Sequence, residues 1–319
     1  MNEESIYLYG RGDRLGSHII QYLSIIIYAF YNNLYIVYDP QKINYNKDYT
    51  YEGKKYNKSF IVTALLEYID NYNKRFLIKD YAKQYENINI MEYLLDFEIK
   101  FKKFSYFYTC DLLIITTQIL NTIECDLVSY FKKYLHEKVN IYIEQNVPKE
   151  LMIPFNPKST ILLHLRMGDV KDRPDYDGSI CSNYYRERVN NNNENIIGIT
   201  TKLGYSNLQT PLSQEKIINA VNQAKQKYPN HEVLIVSEPG SYDINLPYKC
   251  IRSNNENDDL YLLCNADVLI CSRSTFSLAA IFLGKAREIW CPLWGHFITP
   301  GLSTKYDNLN KFIKTNYFY

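Results

Sequence analysis

Short apolar strands alternate with helix-forming stretches along most of this chain, and that alternation restricts the fold more than any other feature. Thr160-Ile161-Leu162-Leu163-His164-Leu165 reads as a buried strand. Residues 233–236, 268–271 and 288–291 read the same way, the last closing before Pro292. Thr210-Pro211 offers an N-cap and first position for a helix whose apolar face is Ile217, Ile218, Val221 and Ala224, with Pro229 beyond it. Asp258-Asp259 starts another helix, and residues 276–283, capped by Gly284, form a third. Apolar strands separated by helices imply a parallel sheet covered on both faces.

The chain opens with the same rhythm. Ile6-Tyr7-Leu8-Tyr9 is a strand, residues 10–16 a glycine-rich loop, residues 17–31 a helix, and residues 34–38 a second strand ended by Asp39-Pro40. Residues 41–150 read as mostly helical between Tyr/Asn/Lys-rich loops; the clearest pattern is residues 126–142, with Leu127, Tyr130, Phe131 and Tyr134 as its apolar positions. Pro148, Pro154 and Pro157 mark a linker. The expected class is therefore α/β, with two Rossmann-like domains at residues 1–155 and 156–319. That division suits 319 residues at about 150 per domain.

Composition removes several function classes. With 46% hydrophobic and 22% charged residues the chain can bury a core, which excludes a disordered or collagen-like protein. Lys+Arg 36 against Asp+Glu 35 leaves a net charge of +1, so no global field attracts nucleic acid or an anionic membrane. The 32 tyrosines, with many Asn, Ile and Lys, look like AT-rich coding. Seven cysteines without a CxxC pair make neither a disulfide framework nor a zinc site. The start, Met-Asn-Glu-Glu-Ser, lacks a signal peptide's basic and apolar regions. The longest apolar run, residues 19–31, is broken by Gln21 and Ser24 and falls short of the roughly 20 residues of a spanning helix. The chain reads as soluble and cytoplasmic, of a bacterial or viral type.

Three segments hold candidate chemistry. On the strand ending at Leu165, His164 and Arg166 share a face, with Asp169 just beyond, where open α/β sheets bind ligands. A guanidinium there suits a diphosphate; an Arg166–Asp169 ion pair beside a core histidine is the plain alternative. In Cys271-Ser272-Arg273-Ser274-Thr275-Phe276, Ser274 and Thr275 fall at a helix N-terminus, which favours an anion and equally suits simple capping. Gly10, Gly12 and Gly16 miss both the GxGxxG and the P-loop spacings, with His18 in the following turn.

Together these segments resemble the α-1,2-fucosyltransferases and their core and protein O-fucosyl relatives. That family carries G-x-L-G-N-Q-x-x-Q-Y, then H-[ILV]-R-x-G-D-[YV], then N-S-T-F-S-W-W-x-A-x-L. Here residues 14–22 look like the first, His164-Leu165-Arg166-Met167-Gly168-Asp169-Val170 matches the second, and Ser274-Thr275-Phe276-Ser277-Leu278-Ala279-Ala280 is similar to the third. Cys181-Ser182-Asn183-Tyr184-Tyr185 and Ile289-Trp290-Cys291-Pro292-Leu293-Trp294 resemble two further family elements. The chain departs at Ser17-His18 (Asn-Gln in the family), at Leu278 and Ala279 (Trp-Trp), and at Ser237-Glu238-Pro239 (often Ser-Asp-Asp).

The resemblance implies a GT-B fold and an inverting glycosyl transfer that uses neither cofactor nor metal, from GDP-L-fucose to a hydroxyl of a glycan acceptor. The acceptor would lie on the N-terminal side and the donor on the C-terminal side. Asp175-Tyr176-Asp177 reads as a solvated turn rather than a metal site. The residues expected to act on the donor are Gly16, His164, Arg166, Asp169, Ser237, Asp267, Ser274, Thr275 and Phe276. Arg166 is expected to meet the charge of the leaving group, and Asp13 or His18 to serve as general base. A transferase for another nucleotide sugar and a non-catalytic carbohydrate- or nucleotide-binding protein are the alternatives.

Overall fold

A computed structural model describes residues 5–8, 14–51, 53–74, 127–166, 211–238, 246–253, 255–292 and 312–318. The chain divides into two compact units, Met1–Val147 and Pro148–Tyr319, with the boundary at the first proline of the Pro-rich stretch, eight residues before the expected one.

In the first unit β1 (Ser5–Leu8) and β2 (Tyr35–Tyr38) pair in parallel, joined by α1 (Leu15–Asn32). Leu15, Ile19, Ile20, Leu23, Ile26 and Ile27 are fully buried, so α1 is the core of this unit. Asn33 ends it in the left-handed conformation, at φ 55°, and the Leu34 amide donates to the Ala29 carbonyl at 2.8 Å. This is a Schellman-type stop with asparagine in the usual glycine position.

Part of residues 41–150, expected to be mostly helical, departs from that expectation. Tyr49–Tyr51 (β3) and Lys54–Tyr56 (β4) form an antiparallel hairpin, turned at Gly53, whose φ of 76° suits a residue without a side chain. The tyrosines that made this stretch hard to assign are its cross-strand pair, Tyr49 stacked on Tyr56 at 5.0 Å. Helix α2 (Phe60–Asn73) follows, capped by Ser59, whose Oγ accepts from the Val62 amide. The Tyr72 hydroxyl lies within 2.9 Å of the Ala29 and Leu34 carbonyls, which ties α2 to the end of α1. The expected helix at 126–142 is two, α3 (Leu127–Tyr134) and α4 (His136–Asn146), broken at Leu135, where φ is −120°.

The second unit is a six-stranded, wholly parallel sheet: β5 (Thr160–Leu165), β6 (Glu232–Ser237), β7 (Lys249–Ile251), β8 (Val268–Ile270), β9 (Glu288–Pro292) and β10 (Lys314–Phe318). Its spatial order is β7-β6-β5-β8-β9-β10. Counted from β5 this is 3-2-1-4-5-6, the order of doubly wound nucleotide-binding sheets. Strands β7 and β10, short and half-exposed, are absent from the sequence reading because neither has an apolar run.

Helices cover both faces. Ile161, Leu163 and Leu165 pack with Ile217, Ala220, Val221 and Ala224 of α5 (Gln214–Lys227). Helix α5 starts later than Thr210-Pro211 suggested, because the Ser213 hydroxyl accepts the Lys216 amide and makes Ser213 the cap. Two more helices are α6 (Glu256–Cys264), capped by Asn255 rather than begun at Asp258-Asp259, and α7 (Thr275–Leu283), capped by Ser274.

Two tight spots hold this unit together. Gly284 ends α7 against the end of α6, and a Cβ there would stand 2.3 Å from the Ala280 carbonyl oxygen and 3.0 Å from that of Cys264. Both obstacles are backbone and cannot swing away. Gly284→Ala is expected to cost about 3 kcal/mol or more, read as a lower denaturant midpoint with an unchanged slope.

Glu288, 1% exposed at the start of β9, accepts hydrogen bonds from Lys227 (2.5 Å), Tyr228 (2.5 Å) and Asn316 (2.7 Å), locking α5 and β10 onto the sheet. Burial alone would raise its pKa; the bonds from Lys227, Tyr228 and Asn316 outweigh that and bring it from 4.5 to about 2. A depressed carboxylate stabilises the fold above its unfolded pKa and loses that contribution as pH falls through the folded one. Melting temperature should therefore drop between pH 4.5 and 2, and Glu288→Gln should be less stable at neutral pH but flatter across that window.

Candidate functional site

In a parallel sheet all carboxyl ends lie along one edge, and ligands bind where the strand order reverses. Here the reversal lies between β5 and β8. Arg166 directly follows β5, Ser272 and Arg273 follow β8, and Ser274 caps α7. Two of the three sequence segments therefore meet at one place although more than 100 residues separate them.

Their contact is a hydrogen-bonded node. His164 Nδ1 lies 2.6 Å from Ser277 Oγ and 3.0 Å from Ser272 Oγ, and the Ser272 amide donates to Ser277 Oγ at 3.2 Å. The Phe276 ring lies 5.3 Å from the imidazole. His164 is 7% exposed, and burial, with the Arg166 charge adding to it, lowers its pKa from 6.5 to about 3. The ring is neutral at physiological pH.

Two guanidinium side chains belong to the residues that follow β5 and β8. Arg166 is half-buried, and Arg273 is buried at 2% exposure. Ser274 accepts the Phe276 amide at 3.1 Å, so it does act as a cap, while Thr275 is buried in the first turn. Ser237, at the end of β6, is buried in register with Leu165.

Asp259 lies on the same edge, beyond β6. It is buried in the first turn of α6, hydrogen-bonded with Ser253, and its Oδ1 has no hydrogen-bond partner among the described residues. Burial raises its pKa from 3.8 to about 6, against the Ser253 hydrogen bonds and with the charges of Asp258 and Glu238 adding to the rise.

Other expected residues fall elsewhere. Asp267 precedes β8, on the opposite edge, where Arg287 Nε lies 2.8 Å from its Oδ2 and His231 Nε2 lies 3.9 Å from it; it is an ion-pair residue and not a donor contact. His18, in the first unit, is fully buried, with the Tyr22 hydroxyl 3.3 Å from Nδ1, the Asn44 amide 3.5 Å from Nε2 and the Tyr45 ring edge-on at 5.3 Å. An imidazole so enclosed is a core residue, which removes it as general base. Gly16 is buried in the first turn of α1. Asp13, Asp169, Asp175, Asp177 and the 181–185 segment lie outside the described residues.

Arg273, Ser272, Ser277 and Asp259 are the site's unforeseen members. Ser277 did stand inside a quoted motif. Asp259 was hidden among three acidic residues that suit any helix start. No family model and no curated protein matches the sequence. No helix among the described residues is long and apolar enough to cross a membrane.

The buried neutral histidine has a measurable cost. The unfolded chain protonates this side chain near 6.5 and the folded one near 3, so between those values unfolding takes up a proton and stability falls as the pH falls. In melts from pH 7.5 to 4.5, wild-type protein should lose stability more steeply than His164→Gln, and equal slopes would show that the ring is not held neutral.

Proposed function

We propose that the chain is an inverting, metal-independent glycosyltransferase of GT-B architecture that transfers L-fucose from GDP-L-fucose to a glycan hydroxyl. The observation that carries this reading is the His164–Ser277–Ser272 node. It joins the two segments that most resemble fucosyltransferases at the switch point of a doubly wound sheet, beside Arg166. In this reading the unit from Pro148 onward binds the donor and the unit before it the acceptor.

The chemistry follows from charge. As the bond from the sugar's anomeric carbon to the β-phosphate oxygen lengthens, the sugar becomes oxocarbenium-like and negative charge grows on the phosphate. Arg166 can meet that charge with two parallel N–H donors. The first turn of α7, the hydroxyls of Ser274 and Thr275, and the nearby Arg273 add to the field. The acceptor oxygen attacks from the opposite face, its proton passes to Asp13, and GDP leaves with the bonding pair. A buried carboxylate with an unused oxygen, Asp259, suits a guanine, whose N1–H and N2–H donors lie side by side. Neither uracil nor adenine presents that pair, and this favours a guanine nucleotide over UDP- or ADP-sugars.

GDP should raise the melting temperature clearly, GMP less, and guanosine hardly at all, because in this reading the diphosphate meets Arg166 and the first turn of α7; a ligand at a hundred times its Kd stabilises by about 2.7 kcal/mol. UDP, ADP and CDP should shift it less than GDP, and Asp259→Asn should narrow that preference. Arg166→Ala should lower turnover by about 10²–10³ with the fold intact, and Arg166→Lys should restore little of it. A larger shift with UDP would displace the fucosyl donor, and no shift with any diphosphate would favour a non-catalytic protein.

A further inference from the structure

The hydroxyls around His164 determine which of its nitrogens carries the proton. Ser277 Oγ accepts the Ser272 amide, so its own hydrogen must find another acceptor, and the only one it meets among the described residues is His164 Nδ1 at 2.6 Å. Ser272 Oγ likewise meets only that nitrogen, at 3.0 Å. All three side chains are buried. If Nδ1 carried the proton, it could serve one oxygen while both hydroxyl hydrogens stayed buried without an acceptor. If Nδ1 is bare, Ser277 donates to it along the shorter contact, and Ser272 shares it. One buried donor left unmade shifts such an equilibrium by roughly tenfold or more, which favours a bare Nδ1.

In a neutral imidazole the proton then sits on Nε2, whose state is set by what the other nitrogen bonds. Nε2 has no hydrogen-bond partner among the described residues, although the residue is more than nine-tenths buried. Nε2 is not one of the fully enclosed unpaired atoms among the described residues, so an acceptor from outside the chain can reach it. With Arg166 two residues on and the start of α7 alongside, that acceptor is an anion. We infer that Ser272 and Ser277 are positioning residues that hold His164 as its Nε2–H tautomer, so that a neutral ring donates to an anionic oxygen bound at the carboxyl ends of β5 and β8. The inference rests on the proposed function only for the identity of the anion as a sugar nucleotide's phosphate.

The test is ¹⁵N NMR on the full chain labelled at histidine, with five histidines to resolve and His164→Gln to assign the signal. The expected spectrum of the free protein shows a bare Nδ1 and a protonated Nε2 at His164. Joint replacement Ser272→Ala and Ser277→Ala should turn this into a tautomer mixture and weaken pyrophosphate binding about tenfold. Ser277→Thr, which keeps the hydroxyl, should retain the wild-type pattern. Inorganic pyrophosphate and GDP should each move the Nε2 signal. A protonated Nδ1 in wild-type protein would overturn the inference, even if the double variant fails to fold. An Nε2 signal that ignores both pyrophosphate and GDP at saturating concentration would overturn it too. If pyrophosphate moves Nε2 but GDP binds no more tightly than pyrophosphate, the tautomer assignment stands and the nucleotide-sugar reading falls.

Discussion

Everything from Pro148 onward depends on β5 being paired in parallel on both sides. Its six residues are buried and face Thr160↔Glu232 through Leu165↔Ser237 on one flank and Ile161↔Val268 through Leu163↔Ile270 on the other. Parallel neighbours cannot be joined by tight turns, so each connection must cross a face, and helices supply the crossings. The chain winds outward from β5 in one direction, returns through α6, and winds outward in the other. The two windings part at the carboxyl ends of β5 and β8, where His164 and Arg166 lie.

The two edges of the sheet carry charge of different kinds. At the amino edge, carboxylates are matched inside the protein: Glu288 by Lys227, Tyr228 and Asn316, and Asp267 by Arg287. At the carboxyl edge, among the described residues, one oxygen of Asp259 is enclosed without a hydrogen-bond partner, and His164 bonds through Nδ1 alone. On the proposed function, substitutions at Glu288 or Gly284 act on stability, and those at Arg166 or Asp259 on donor binding.

Much of the second unit was legible because its strands are apolar throughout and its helices carry caps. The central strands β5, β6, β8 and β9 follow directly from runs such as Ile161-Leu162-Leu163. Strands β7 and β10 do not, since a half-exposed strand needs no apolar run and both open on a lysine, Lys249 and Lys314. The hairpin at Tyr49–Tyr56 was obscured for a related reason: tyrosine is common everywhere in this chain, so a tyrosine pair across two strands does not stand out. His164 and Arg166 were readable from period-two geometry. Asp267 misled because an acidic residue beside a strand looks alike at either end, and only chain direction tells which edge it occupies. His18 misled because a helix start is often exposed, whereas this one is packed inside.

Asn73 has a consequence for how this protein behaves among its own copies. Its side-chain amide donates to the Ile36 carbonyl at 2.7 Å and accepts the Ile36 amide at 3.0 Å, as a neighbouring strand's backbone would. A two-stranded parallel sheet otherwise presents an open row of donors and acceptors to any extended segment that arrives. By imitating one peptide unit at the middle of β2, Asn73 occupies a donor and an acceptor that a further strand would use there. A visiting strand would have to displace that intramolecular bond pair before it could add itself at this point.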